Sequence, residues 1–263
     1  KTLAHKMFDV YLFPEKYSES KLRALETQLE QYNVILRFSG EGTPVSPKIN
    51  LEYCIFGRKK LVNISHPLFE VREKIYNIQP YIYYDELSTS NSTFYFDMIY
   101  INPEEVENDY LIAKNVLQGK SVKSMFFVGS PVNDDIKYCL VKAFPSGSSI
   151  KNEIWRMFEI HELTHKILNN RYNSHDQITG EELALLSTMY YNPYLGLSVL
   201  YSYLDYNVNN PHRSAALNLV HHIAKETKKQ NFVENPSLIK YLPADDVASL
   251  AKERFNSVLK TLK

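Results

Sequence analysis

Ile160-His161-Glu162-Leu163-Thr164-His165-Lys166 sets two imidazoles four residues apart, with a carboxylate beside the first. On an α-helix, positions i and i+4 share a face, so both rings can address one ion, while Glu162 lies about 100° round the helix, beside the ion rather than on it. Two neutral imidazole nitrogens at about 2.0–2.1 Å suit zinc; a third protein ligand would complete a site that keeps one position for water. The surrounding residues predict the helix. Pro145-Ser146-Gly147-Ser148-Ser149 breaks and then caps the chain, after which Ile150, Ile154, Trp155, Phe158, Leu163, Ile167 and Leu168 recur at helical spacing as far as Asn169-Asn170.

Downstream, Asp176-Gln177-Ile178-Thr179-Gly180-Glu181-Glu182-Leu183-Ala184-Leu185-Leu186 reads as a cap and a second amphipathic helix that offers the third ligand. Neighbours on a helix diverge by about 100°, so only one of Glu181 and Glu182 can face the ion. Thr179 stands three residues before Glu182, a capping-box spacing that would occupy Glu182 and leave Glu181 free. These residues resemble the gluzincin branch of the zincin metallopeptidases, in which the third ligand is a glutamate on a helix after His-Glu-x-x-His. Glu181-Glu182-Leu183-Ala184 is similar to the branch pattern of a glutamate followed at its third position by a small residue. The resemblance implies a metal set of His161, His165 and Glu181, with Glu182 as the competing third ligand. The chain departs from the pattern at Leu185, where many relatives carry an Asp or Asn that supports a ligand histidine, and it has no Gly-x-Met-Glu-Asn stretch of the aminopeptidase kind. A metzincin is excluded, because Leu168 and Arg171 occupy the places of its glycine and third histidine. His175 precedes the second helix and is read as a polar loop residue.

The chain has 263 residues, 44% of them hydrophobic, enough for a sizeable core. Thirty basic and thirty acidic residues cancel, which removes the electrostatic case for nucleic acid or an anionic membrane surface as partner. No apolar run approaches the roughly twenty residues that span a bilayer. Cys54 and Cys139 allow at most one disulfide and form no ligand cluster. A first residue Lys1 fits removal of a leader as well as a shortened chain, and the expectation drawn from it is an extracytoplasmic location.

Before the motif the pattern is mixed. Met7–Phe13 reads as a strand, and a helix capped by Ser18 or Ser20 runs through Lys21, Leu22, Leu25, Leu29 and Tyr32. Strands are expected at Val34–Phe38, Leu51–Phe56, Tyr81–Tyr84, Thr93–Ile101, Ser124–Val128 and Lys137–Phe144, with a helix over Glu104–Leu117. After the motif, Glu181–Tyr191, Pro193–Tyr206, Pro211–Lys228 and Ala244–Leu262 all show helical spacing, with Pro193, Pro211 and Pro243 at the starts of the last three. The expected fold class is α+β and zincin-like: a mixed sheet with helices in the N-terminal half, the motif helix at the junction, and an all-helical C-terminal half. We expect one catalytic unit over 1–263, with a β-rich subdomain at 1–149 and a helical one at 150–263.

The resemblance implies a zinc-dependent peptidase with one Zn2+ per chain and a peptide or protein as substrate. Glu162 would be the general base, taking a proton from water at the metal and passing it to the leaving amine. The transition-state donor would come from His212, His221, His222 or the tyrosines between Tyr190 and Tyr206, and a strand along the cleft would hold an extended substrate. Two other readings are weighed against it: a zincin-fold protein that binds a partner through its cleft without turnover, and a structural domain with a fortuitous motif.

Overall fold

The computed structural model describes residues 3–43, 46–83, 92–95, 98–122, 125–126, 130–144, 149–172, 176–207 and 209–262. Helix α1 (Leu3–Leu12) and helix α2 (Glu19–Glu30) lead into strand β1 (Val34–Thr43), the long strand β2 (Ser46–His66) and strand β3 (Val71–Tyr83). Strands β4 (Ser92–Tyr95) and β5 (Met98–Ile101) follow, then helix α3 (Pro103–Leu117), the short pair β6 (Met125–Phe126) and β7 (Ser130–Pro131), and helix α4 (Asp134–Ala143). The rest is helical: α5 (Ile150–Tyr172), α6 (Gln177–Tyr191), α7 (Pro193–Leu204), α8 (Pro211–Thr227), α9 (Asn231–Glu234) and α10 (Ala244–Thr261). The fold is therefore mixed, with the sheet confined to the first half. Its strand order is β1-β2-β3-β5-β4, with β1 antiparallel to β2 and β4 antiparallel to β5.

Two compact units divide the chain, one of Lys1–Lys60 with Asn77–Asn91 and one of Leu61–Tyr76 with Ser92–Lys263. In the first, Val10, Leu22, Leu25, Leu29 and Leu36 form a small core. In the second, α6 is the central element, packed against α5, α7, α8 and α10, and its Leu183, Ala184, Leu185, Leu186 and Met189 are fully buried. Gly196 makes the crossing of α7 over α6 possible: a Cβ there would lie 2.5 Å from Met189 Cα, closer than two carbons can approach.

Local chemistry explains where the helices begin. Asn-Pro starts α3, α7 and α8: Asn102, Asn192 and Asn210 each accept a backbone N–H of the first turn, and the following proline has no N–H to leave unpaired. Lys228 closes α8 with φ 56, the left-handed turn that ends many helices.

Several expected elements change. Met7–Phe13 belongs to helix α1, because Met7 and Val10, three residues apart, pack together on the small core, and that burial outweighs a β-prone composition. Lys137–Phe144 is the body of helix α4 rather than a strand. Asn133 caps it by accepting the Ile136 N–H, acidic Asp134 and Asp135 fill its first turn, and Ile136, Cys139, Leu140 and Ala143 form its buried face. Within Thr93–Ile101 the described residues form two short antiparallel strands, β4 and β5, in place of one. The motif helix runs on to Tyr172, past Asn169-Asn170. Tyr84 lies outside the described residues, as do most of Ser124–Val128 apart from Met125–Phe126. Cys139 is a free, buried thiol that burial pushes up to about 12, so the chain's two cysteines form no disulfide with each other.

Candidate metal centre

Helix α5 carries the motif in its second half, flanked by Ile160, Leu163, Ile167 and Leu168, which are buried in the core. His161 and Glu162 are buried as well. The two imidazoles meet edge to face, with His165 Nε2 3.2 Å from His161 Nε2. Helix α6 then brings in Glu181. Its Oε2 is 3.5 Å from His161 Nε2 and its Oε1 is 3.5 Å from His165 Nε2.

These separations test the donor set. A tetrahedral ion with bonds of about 2.0–2.1 Å holds its ligand atoms about 3.3–3.4 Å apart. The two nitrogens, 3.2 Å apart, match one such edge, and the carboxylate lies across both with a different oxygen 3.5 Å from each nitrogen; one ligand atom from each residue lies within 4.8 Å of the other two. His161, His165 and Glu181 could hold a metal ion.

The charges are coupled accordingly. Burial would raise the Glu181 carboxyl, but the charge of His165 and hydrogen bonds with His161 and His165 hold it well below its usual range. Burial lowers His161, partly offset by Glu181. On His165 the same burial is outweighed by the Glu181 and Glu162 carboxylates, and its pKa rises. His165 and Glu181 thus each favour the charged form of the other, and a bound cation would compete with His165 for the carboxylate. Burial pushes Glu162 up to about 8, against the pull of His165. A dication beside it would lower that value again.

Two more side chains reach Glu181. The fully buried Tyr203 of α7 donates its hydroxyl to Glu181 Oε2 at 3.3 Å, and His212 of α8 places Nε2 3.3 Å from the same oxygen. His212 is oriented by Asn210, whose Oδ1 accepts its backbone N–H at 2.8 Å and lies 2.8 Å from its Nδ1. Tyr203 also packs edge-on against the His212 ring. His222 lies elsewhere on α8, with Nδ1 4.0 Å from Glu226, and His175 is outside the described residues.

Glu182 does not form the capping box. Asp176 caps α6 by accepting the Thr179 N–H, while the Glu182 carboxylate, 3% exposed, accepts Arg254 Nε at 2.6 Å and Asn218 Nδ2 at 3.2 Å. A buried carboxylate needs a cationic partner more than a helix end needs a second cap, so the tertiary ion pair wins. Leu185 is fully buried and supports no ligand through a polar group.

A further histidine had no signal in the local sequence. His66, at the end of β2, meets Thr164 inside the motif: His66 Nε2 and Thr164 Oγ1 are 2.9 Å apart, and Thr164 donates to Ile160 O. Compared with protein-family models, curated proteins and solved structures, the chain matches none.

Proposed function

We propose that the chain is a zinc-dependent hydrolase of peptide bonds with a zincin-like catalytic arrangement, in which His161, His165 and Glu181 hold the metal and Glu162 is the general base. The observation that carries this reading is the convergence of three ligating side chains from two helices within 4.8 Å of one another, with a buried carboxylate one residue after the first ligand. Bound zinc would supply Lewis acidity and lower the pKa of water towards about 7. Glu162 takes a proton on its carboxylate and returns it to the departing amine, a transfer worth perhaps 10²–10⁴-fold.

Of the expected donor pool, Tyr203 and His212 reach the site. Both face Glu181 Oε2 at 3.3 Å, which makes them the two candidates to hydrogen-bond the substrate oxygen as charge develops. Strand β4 supports the substrate class. It is last in the sheet order and packs against α5, so one of its edges has no partner strand among the described residues and can pair with an extended peptide.

The test is metal content together with cleavage of a mixed peptide library, with and without chelator. One zinc per chain, and hydrolysis lost to the chelator and restored by zinc, is the expected result. Metal-free chain that still cleaves overturns the mechanism; zinc bound without any cleavage favours a binding protein that does not turn over.

A further inference from the structure

The carboxylate next to the third ligand is a working part of the metal site. Resting on the metal assignment above, we propose that Glu182, clamped by Arg254 and Asn218, is the positioning residue that sets the rotation of α6 and so the placement of Glu181.

A ligand side chain stands about 5–6 Å from its helix axis, so each degree of helix rotation displaces it by about 0.1 Å. Zinc bond lengths tolerate about 0.2 Å, which leaves α6 only a few degrees of freedom. Apolar packing alone does not fix rotation so narrowly, because it has no directional term. The buried leucines of α6 need a directional partner.

Glu182 supplies one. It lies about 100° round from Glu181 and points away from the ion, into the angle between α8 and α10. Each of its oxygens is held from a different helix: Oε1 accepts Arg254 Nε at 2.6 Å from α10, and Oε2 accepts Asn218 Nδ2 at 3.2 Å from α8. With the carboxylate fixed at both oxygens, α6 cannot rotate without breaking a buried charged hydrogen bond. Asn218 also stands on the helix that begins with His212, so the same carboxylate ties the helix carrying Glu181 to the helix carrying His212. Where the motif pattern would have a polar residue at position 185, this chain has Leu185, and the directional support comes instead from the far side of the ligand helix.

The experiment measures zinc affinity by competition with a chromophoric chelator for the unaltered chain, Glu182→Gln, Arg254→Met and the double variant, together with the visible spectrum of each loaded with Co2+. Each single variant is expected to bind zinc 10- to 100-fold more weakly and to shift the cobalt bands, with the double variant no worse than either single one. Asp135→Asn is the control for general destabilisation. It breaks the Lys240–Asp135–Ser237 cluster, which touches no site residue, and should lower the melting temperature while leaving zinc affinity and the cobalt bands unchanged. Should Glu182→Gln fail to fold, Arg254→Lys keeps the charge but loses the Nε–H geometry, and is expected to weaken zinc by the same mechanism. Zinc affinity within twofold of the unaltered chain in the folded clamp variants, with unshifted cobalt bands, overturns this inference alone. An unaltered chain that binds no zinc overturns the metal assignment and the clamp with it.

Discussion

Two buried imidazole environments lie side by side along α5, and they differ in one respect. Around His66 every polar atom has an assigned role. Its Nδ1 accepts the backbone N–H groups of Leu68 and Phe69 at 3.1 and 3.0 Å, so the proton sits on Nε2 and goes to Thr164, which passes its own proton to Ile160 O. Around His161 and His165 the ligating atoms converge instead: the two ring nitrogens face each other at 3.2 Å and the Glu181 carboxylate at 3.5 Å, and Tyr203 and His212 approach the same carboxylate. Polar atoms each assigned to a partner hold a fold together; several ligating atoms that converge on one point suit a cation. Burial is common to both environments and does not separate them. Convergence does.

The comparison is broken most directly at Glu162. Glu162→Gln keeps shape and hydrogen-bonding capacity but cannot take a proton. Zinc should remain bound while peptide turnover falls by about 10²–10⁴-fold. Loss of zinc in that variant would make Glu162 a ligand, and retained turnover would place the base elsewhere.

The balanced imidazole makes the opposite prediction, about stability and not turnover. Burial, helped by the Arg156 charge, lowers His66 from 6.5 to about 3. The folded chain thus keeps His66 neutral where the unfolded chain would protonate it. Stability from this group is complete above about pH 6.5 and is lost as pH falls towards 3, about 2 kcal/mol of it by pH 5. His66→Gln should therefore flatten the loss of unfolding free energy between pH 7 and pH 5 by about that amount, measured by denaturant titration in chelator. Identical slopes in the two proteins would show that His66 is not held neutral.

What a sequence shows of such a molecule depends on how far apart the partners lie. His161, Glu162 and His165 are legible because helix periodicity alone brings them together, and the Asn-Pro starts of α3, α7 and α8 are equally local. Helix α4 was legible too: Asn133-Asp134-Asp135 is a helix start, masked by the β-prone run that follows it. The third ligand shows the boundary. Local reasoning singles out Glu181 because Thr179 would occupy Glu182, but Glu182 is occupied by Asn218 and Arg254, 36 and 72 residues away. No local pattern carries that. The same holds for His66, 98 residues from Thr164, and for the selection of Tyr203 and His212 from a pool of tyrosines and histidines, which only the crossing of α7 and α8 over α6 decides.

Tyr203 offers a finer test of that convergence. Tyr203→Phe removes one hydroxyl from a fully buried ring and leaves the packing in place. The Glu181 carboxylate then loses its neutral donor, and zinc affinity should fall about tenfold, the usual effect of deleting an outer hydrogen bond to a ligand. Unchanged affinity would mean that the ion alone orients the carboxylate.

The smallest expected effect tests how tightly the converging imidazoles are held. Gly180 lies in the first turns of α6 directly against His165: a Cβ at this position would sit 3.2 Å from His165 Nδ1 and 3.4 Å from Cε1. Two contributions oppose each other in Gly180→Ala. Alanine is the better helix former by about 1 kcal/mol, so the metal-free chain should be as stable as before or slightly more so. The added methyl, however, pushes the His165 ring by a few tenths of an ångström, beyond the roughly 0.2 Å that a zinc site tolerates. Zinc affinity should therefore fall several-fold while the melting temperature of the metal-free chain holds or rises. That opposite movement distinguishes a ring held for an ion from one held for packing: were His165 a core residue like His66, the crowding would lower metal-free stability first.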